Sequence, residues 1–349
     1  MNSHNTLGDY TLGIVGARGY VGKELLALVV NHPNINVSWV SSRQLKGQSA
    51  AMLVDELVDI TIEDLSPQQV ADKQTDIVVL ALPNGLAAPF VAALEDAQQT
   101  QIIIDLSADY RFDDNWVYSL PELDNLAPTA NKPAKISNPG CYATAMQLAL
   151  APIKAKLVGR PNCFGVSGYS GAGTTPCANN DPKNLSDNLI GYGLVEHLHE
   201  KEVSARLQQG ISFSPHVAEF FRGINMTIQV EFSEPQTSNV LLDDFARFYA
   251  DHPLVMCQQA IPTVKQVVNT PNCLIGGFSV SSDGKRATIV SCLDNLTKGA
   301  ASQALQNINL ALGLASTTSL TITDPTVTGP AVTGPAVTGP DLQAQEKTS

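Results

Sequence analysis

The strongest constraint on this chain lies in its first third, where "TDIVVLALP" (75–83) and "TQIIIDLSA" (100–108) contain uninterrupted apolar runs. A strand with one wet face alternates apolar and polar residues. Continuous runs suit strands buried on both faces of a parallel sheet. "YTLGIVG" (10–16) and "INVSWVSS" (35–42) read as two further strands. "YVGKELLALVVNHP" (20–33) reads as a helix ending near Pro33, and "GLAAPFVAALEDAQQ" (85–99) as another. Strand and helix in alternation predict a doubly wound α/β domain.

The pattern changes after Cys141. In "GINMTIQVEF" (223–232), Ile224, Met226, Ile228, Val230 and Phe232 share one face. "LIGGFSVSSDGKRATIVSCLDN" (274–295) reads as two alternating strands joined at Asp283-Gly284, a hairpin signature. This region is expected to be an α+β domain with a one-sided antiparallel sheet and a surface helix over "LLDDFARFYADHP" (241–253). In "LTKGAASQALQNINLALGL" (296–314), Ala301, Ala304, Leu305, Ile308 and Leu312 make one helical face, with Gly313 as the cap. The "TVTGPAVTGPAVTGP" repeats that follow have too little to bury, and 321–349 is expected to be a disordered tail.

Several function classes are excluded. A net charge of −12 argues against a nucleic-acid partner, which calls for basic patches. No apolar run reaches the ~18 residues that span a membrane, and Met1–Tyr10 lacks the apolar core of a signal peptide. The six cysteines form no CxxC pair, so reduced thiols in a cytoplasmic protein are expected.

The glycines of "GIVGARGYVG" (Gly13, Gly16, Gly19, Gly22) lie between the first strand and the first helix. Their G-x-x-G-x-x-G spacing departs from the common G-x-G-x-x-G, but the context is that of a Rossmann-like dinucleotide site. Backbone amides at the positive end of a helix can hold a pyrophosphate there. The second strand ends in Ser41, Ser42 and Arg43, with Lys46 nearby, instead of the carboxylate usual for NAD. Hydroxyls and a guanidinium suit a 2′-phosphate, so NADP(H) is the expected cofactor.

Cys141 follows Pro139-Gly140 and opens a helix-forming run that stops at Pro152. A helix N-terminus favours thiolate over thiol, and a thiolate attacks acyl carbon and leaves again readily.

These segments together resemble the N-acetyl-γ-glutamyl-phosphate reductase family. The resemblance runs from about Leu12 to Gly313. It rests on "SNPGCYATAMQLALAP" (137–152), "IIDLSADYRF" (103–112), "YSLPEL" (118–123), "SGYSGAGTTP" (167–176), "EHLHEKEV" (196–203), "FSPHVAEFFRGI" (213–224) and "DNLTKGAASQALQNINLALG" (294–313). The sequence departs from the family at Asn84, at Arg18, in the spacing of "GYGLVEHLH" and in "NTPNC" (269–273).

The resemblance implies an NADP-binding domain over 8–140, completed by a helix at about 296–315, and a substrate and dimerisation domain over 141–295. It implies NADPH-dependent reduction of N-acetylglutamyl phosphate to its semialdehyde in arginine biosynthesis, through a Cys141 thioester. His197 is the first candidate acid/base and His199 the second. On a helix the two would point apart, and in an extended segment together. The implied cofactor residues are Gly16, Arg18, Gly19, Tyr20, Val21, Ser41, Ser42, Arg43, Gly171 and Asn295, with "SGYSGAG" as a flexible loop. The implied substrate residues are Arg111, Asn138, Glu202, Arg222 and His216, the last in a loop. The HxH pair has no evident third ligand and the reaction needs no metal, so no metal site is expected. The expected partner is the small-molecule substrate, in a homo-oligomer, dimer or tetramer. The competing readings are an aspartate-semialdehyde dehydrogenase, a reductase for a carrier-bound or aminoadipyl phosphate, and a non-catalytic NADP-binding sensor.

Overall fold

The structure is a computed structural model and describes residues 10–98, 102–124, 126 and 134–322. The repeat tail lies outside the described residues. Two compact units divide the chain: 10–140 with 300–321, and 141–299. The chain leaves the first unit at Gly140 and returns to it at Ala300.

In the first unit the elements are β1 (Tyr10–Val15), α1 (Tyr20–Val29), β2 (Ile35–Ser41), α2 (Pro67–Asp72), β3 (Ile77–Leu80), α3 (Ala88–Ala97), β4 (Ile102–Asp105), β5 (Val117–Tyr118) and β6 (Ala134–Ser137). They form a parallel sheet in the order β2-β1-β3-β4-β6-β5. Every residue of β3 and β4 is buried, which accounts for their unbroken apolar runs. Gly16 has a φ of +87°, and a Cβ there would lie 2.2 Å from the Ala81 carbonyl oxygen. A Cβ on Gly22 would lie 2.9 Å from the Gly16 oxygen, so both glycines let α1 close onto the turn after β1.

The second unit contains α4 (Cys141–Leu150), β7 (Leu157–Gly168), α5 (Pro182–Leu185), β8 (Leu189–Gly191), α6 (Leu198–Leu207), β9 (Ser212–Ala218), β10 (Ile224–Phe232), α7 (Ser238–Phe248), β11 (Val255–Gln258), β12 (Cys273–Val280) and β13 (Arg286–Leu293). Its sheet runs β11-β12-β13-β10-β7-β9-β8. The β12–β13 hairpin turns at Gly284, whose φ is +73°. The sheet is mostly antiparallel but mixed, because β11 pairs with β12 and β7 with β9 in parallel. Pairing between strands distant in sequence leaves no local signal, so the hairpin was readable and the parallel pairs were not. Along β10 the expected five residues are buried. The opposite face carries Phe164, Thr227 and Gln229 around hollows of ≈ 450 and ≈ 320 Å³.

The chain returns to the first unit as α8 (Ser302–Ala311), after a π-helical turn over Thr297–Ala301. One apolar face was expected here. Instead, every residue of 302–309 is buried, polar ones included, and Leu312 is only half-buried. Hydrogen bonds make this burial tolerable. Gln306 Nε2 donates to Glu122 Oε1 at 2.9 Å, Asn307 Nδ2 to the Ser119 carbonyl at 3.0 Å, and His32 Nε2 meets Asn309 Oδ1 at 3.0 Å. Gly313, with φ +76°, ends the helix, and Leu314 N–H closes back on the Asn309 carbonyl at 2.8 Å. No helix among the described residues is long and apolar enough to cross a membrane.

Candidate active site

Cys141 is the first residue of α4 and its one residue that is not buried. Tyr142 to Leu150 are all buried, so the helix is anchored along its length and its first turn has a fixed place. The Tyr142 ring passes over the bare backbone of Gly165, where a Cβ would lie 2.7 Å from the ring. Its hydroxyl donates to the His216 carbonyl at 2.6 Å.

His197 is the N-cap of α6, with φ −56° and ψ 144°, and its Nδ1 accepts the His199 N–H at 3.2 Å. Because the cap residue lies outside the helix, the two imidazoles meet with ring centroids 5.0 Å apart. A pure helix would have separated them. His197 also packs on Tyr192 (5.8 Å) and Phe213 (5.3 Å), and His199 on Tyr142 (5.8 Å). Tyr142 and Tyr192 are within hydrogen-bonding reach of each other, and both feel the charge of Cys141. Cys141, His197 and His199 thus share one neighbourhood with two tyrosines.

Burial pushes the Tyr192 phenol up to about 12, with Cys141 adding to the effect, and it pushes Tyr142 up as well. Both tyrosines are therefore protonated donors at neutral pH. Burial lowers His197 from the ordinary imidazole value, against the opposing charge of Glu200. Glu200 holds its place by accepting the Phe213 N–H at 3.0 Å. The carboxylate acting on His197 is thus Glu200, which the sequence did not single out. Glu202 is buried at 1% exposure.

His216 departs from expectation. It belongs to strand β9, and its ring packs tilted against Phe164, with centroids 4.5 Å apart. Strand alternation places it on the face opposite Phe213, away from the other two histidines. Its carbonyl, not its ring, reaches Tyr142.

"SGYSGAG" is a pinned turn rather than a flexible loop. The amides of Gly168, Tyr169 and Ser170 donate to the carbonyls of Gly223, Phe220 and Phe221 at 2.9–3.0 Å. Asn295 locks it further. Its Nδ2 donates to Ser170 Oγ at 2.9 Å, and its Oδ1 accepts the Gly223 N–H at 2.6 Å. Gly171 stays exposed in that turn. Arg222 is buried, with Nε on Asp294 Oδ2 at 2.6 Å.

In the first unit, Arg111 Nε donates to the Asn138 carbonyl at 3.1 Å. The Asn138 side chain donates to the Ala300 carbonyl at 3.2 Å and accepts from Asn307 at 3.1 Å. The start of α1 has neither a side-chain cap nor an acidic residue in its first turn. The Gly19 amide donates to the Gly16 carbonyl at 3.0 Å, so it is the helix start over Tyr20 and Val21 that fits a pyrophosphate, with Arg18 half-buried beside it. Arg43 is exposed at the end of β2 and suits a 2′-phosphate. Ser41 and Ser42 are buried, and Ser41 Oγ accepts the Leu65 N–H at 3.1 Å. They shape the turn more than they face solvent.

Residues 11–129 match the family model for the semialdehyde dehydrogenase NAD binding domain, and 141–295 that for the semialdehyde dehydrogenase dimerisation domain. Among solved structures, aspartate semialdehyde dehydrogenase II complexed with ASA from Vibrio cholerae shares the fold. Its TM-score is 0.70 at 18% identity, covering 87% of this chain and 98% of that one. The Candida albicans aspartate semialdehyde dehydrogenase with NADP has a TM-score of 0.65 at 15% identity, covering 86% and 99%. Sequence relatives are much nearer. The N-acetyl-gamma-glutamyl-phosphate reductase of Stenotrophomonas maltophilia is 50% identical over 312 residues, covering 89% of this chain and 98% of that protein. Those of Xanthomonas campestris and Xylella fastidiosa are 48% and 50% identical, covering 99% and 95% of those proteins. With identity at this level over nearly the full length of those relatives, and with a cysteine opening a buried helix beside paired histidines, the chain belongs to the N-acetyl-gamma-glutamyl-phosphate reductase family.

Proposed function

We propose that this protein reduces N-acetyl-L-glutamyl 5-phosphate to N-acetyl-L-glutamate 5-semialdehyde and phosphate, using NADPH, in arginine biosynthesis. The observation that supports it most is Cys141 at the start of α4, with the paired His197 and His199 packed on the two tyrosines, Tyr142 and Tyr192, that feel its charge. Cys141 attacks the acyl carbon, the C–O bond to phosphate breaks, and a thioester forms on sulfur. NADPH would be held by Gly16, Arg18, Gly19, Tyr20, Val21 and Arg43, and would supply the hydride. The thiohemiacetal then collapses, breaking the C–S bond and returning the thiolate.

His197, kept neutral at physiological pH by its burial, serves as the acid/base for the oxygen, with His199 beside it. Arg111 and Arg222 supply positive charge for the substrate's carboxylate and phosphate. Asn138 and Glu202 line its site. Asn295 and Gly171 act through the turn at Ser170. The enzyme works in the cytoplasm as a homo-oligomer, dimer or tetramer, with the open face of the mixed sheet meeting a second copy. The dimerisation-domain match and the 42% exposure of Phe164 support that face. Light scattering that returned only a monomer would exclude it.

The test is phosphate-dependent reduction of NADP with N-acetylglutamate semialdehyde. Wild type should be active, and Cys141→Ser should lose at least about 10³-fold in kcat. An inactive wild type that still binds NADP would point to another acyl phosphate.

A further inference from the structure

Gly299 lies in the π-helical turn Thr297–Ala301, and its amide donates to the Asp294 carbonyl at 2.9 Å, five residues back. Its backbone is not left-handed, so conformation alone does not call for glycine there. Contact does. A Cβ on Gly299 would lie 2.6 Å from Cys141 Cβ and 3.2 Å from Cys141 Cα. Real Cβ atoms do not approach this closely, and both neighbours are backbone or the first side-chain carbon, so neither can swing aside. The Gly299 backbone is therefore the wall against which Cys141 is seated.

That wall is itself held. Asp294 is fully buried, and its carboxylate accepts four hydrogen bonds. Oδ1 takes the amides of Leu296 and Thr297 at 2.9 and 3.4 Å. Oδ2 takes the Asn269 amide at 2.7 Å and Arg222 Nε at 2.6 Å. Three of the four donors are backbone amides, so the carboxylate fixes the path of the chain into the turn, much as a cap fixes a helix start. π-Turns are uncommon and often mark functional positions.

We infer that Gly299 and Asp294 are positioning residues for the nucleophile: Gly299 sets where Cys141 stands, and Asp294 holds Gly299 in place. The inference rests on Cys141 being the nucleophile. It adds that the thiol's aim is set from outside its own helix. An error of about 1 Å in a reacting group costs about 10²-fold in rate.

The experiment compares wild type, Gly299→Ala, Asp294→Asn and the double variant, each checked for native circular dichroism and NADP binding. The readouts are kcat, KM and the pH profile of Cys141 alkylation by iodoacetamide, located by mass spectrometry. Gly299→Ala should lower kcat about 100-fold with KM within about threefold, and change the alkylation rate about tenfold or more. Asp294→Asn keeps the shape and should lower kcat about tenfold. In kcat the double variant should be no more than about threefold worse than Gly299→Ala alone, since both reach the thiol through one contact, whereas a rise in KM confined to the Asp294→Asn proteins would read the Arg222 pair instead. Unchanged kcat and alkylation in a folded Gly299→Ala would overturn the inference. So would failure of both single variants to fold, which would make the pair structural only. A wild-type Cys141 alkylated no faster than exposed Cys177 would instead remove the nucleophile assignment, and the inference with it.

Discussion

Two helices, α4 and α8, are buried along nearly their whole length for opposite reasons. In α4 the buried residues are mainly apolar, "YATAMQLAL", and packing alone accounts for their place. In α8 they read "SQALQNIN", and five of the eight are polar side chains. The first helix is held by excluded water, the second also by hydrogen bonds from its buried polar side chains. The same burial therefore conceals two different sensitivities, one to lost volume and one to lost partners.

The sharpest way to separate them is to cut volume from α4. Leu148→Ala should cost about 2–5 kcal/mol in urea denaturation, through lost transfer free energy and a residual cavity. A loss below about 1 kcal/mol would mean that α4 is not held by packing. In α8, Asn307→Ala removes little volume but strands the Ser119 carbonyl and Asn138 Oδ1. It should cost about 1–3 kcal/mol. It should also lower kcat/KM about tenfold by freeing Asn138, whereas a stability loss with kcat/KM intact would deny Asn138 a role at the substrate.

The smallest effect concerns pH. Burial lowers His32 from the ordinary imidazole value, against its bond to Asn309. The unfolded chain then binds the proton more readily than the native one, so stability falls as pH drops through about 6.5. His32→Gln should flatten that acid slope while leaving stability at pH 8 nearly unchanged. An identical slope in both proteins would remove His32 as its source.

The same contrast explains which parts could be read from residues alone. β3 and β4 were readable because a strand covered on both faces has an unmistakable pattern, and Cys141 because Pro-Gly followed by helix formers marks a helix start. In α8 the helix, its Gly313 cap and its apolar residues were readable, but the burial of its polar residues was not, since a polar stripe looks alike whether it meets water or Glu122, Asn138 and His32. The histidine pair depended on which residue caps α6, a matter of one position. His216 was expected in a loop but lies in a strand, because β9 exists only through its pairing with β7, about fifty residues earlier. Asp294 and Gly299 gave no chemical signal, because their work is done through the backbone. The burial of Ser41 and Ser42 and the bond from the Leu65 amide to Ser41 Oγ depend on the chain beyond β2, which carries no local signal at the serines.

The return of the chain at Ala300 has a consequence in time. The Asn307 and Gln306 side chains bond Ser119 and Glu122, which leave the ribosome 188 and 184 residues before them. At roughly 5–20 residues per second, the first unit waits about 10–30 s for its last helix while the whole of the second unit emerges. During that interval its polar pocket is open, and a ribosome stalled before α8 would release a chain whose first unit cannot close.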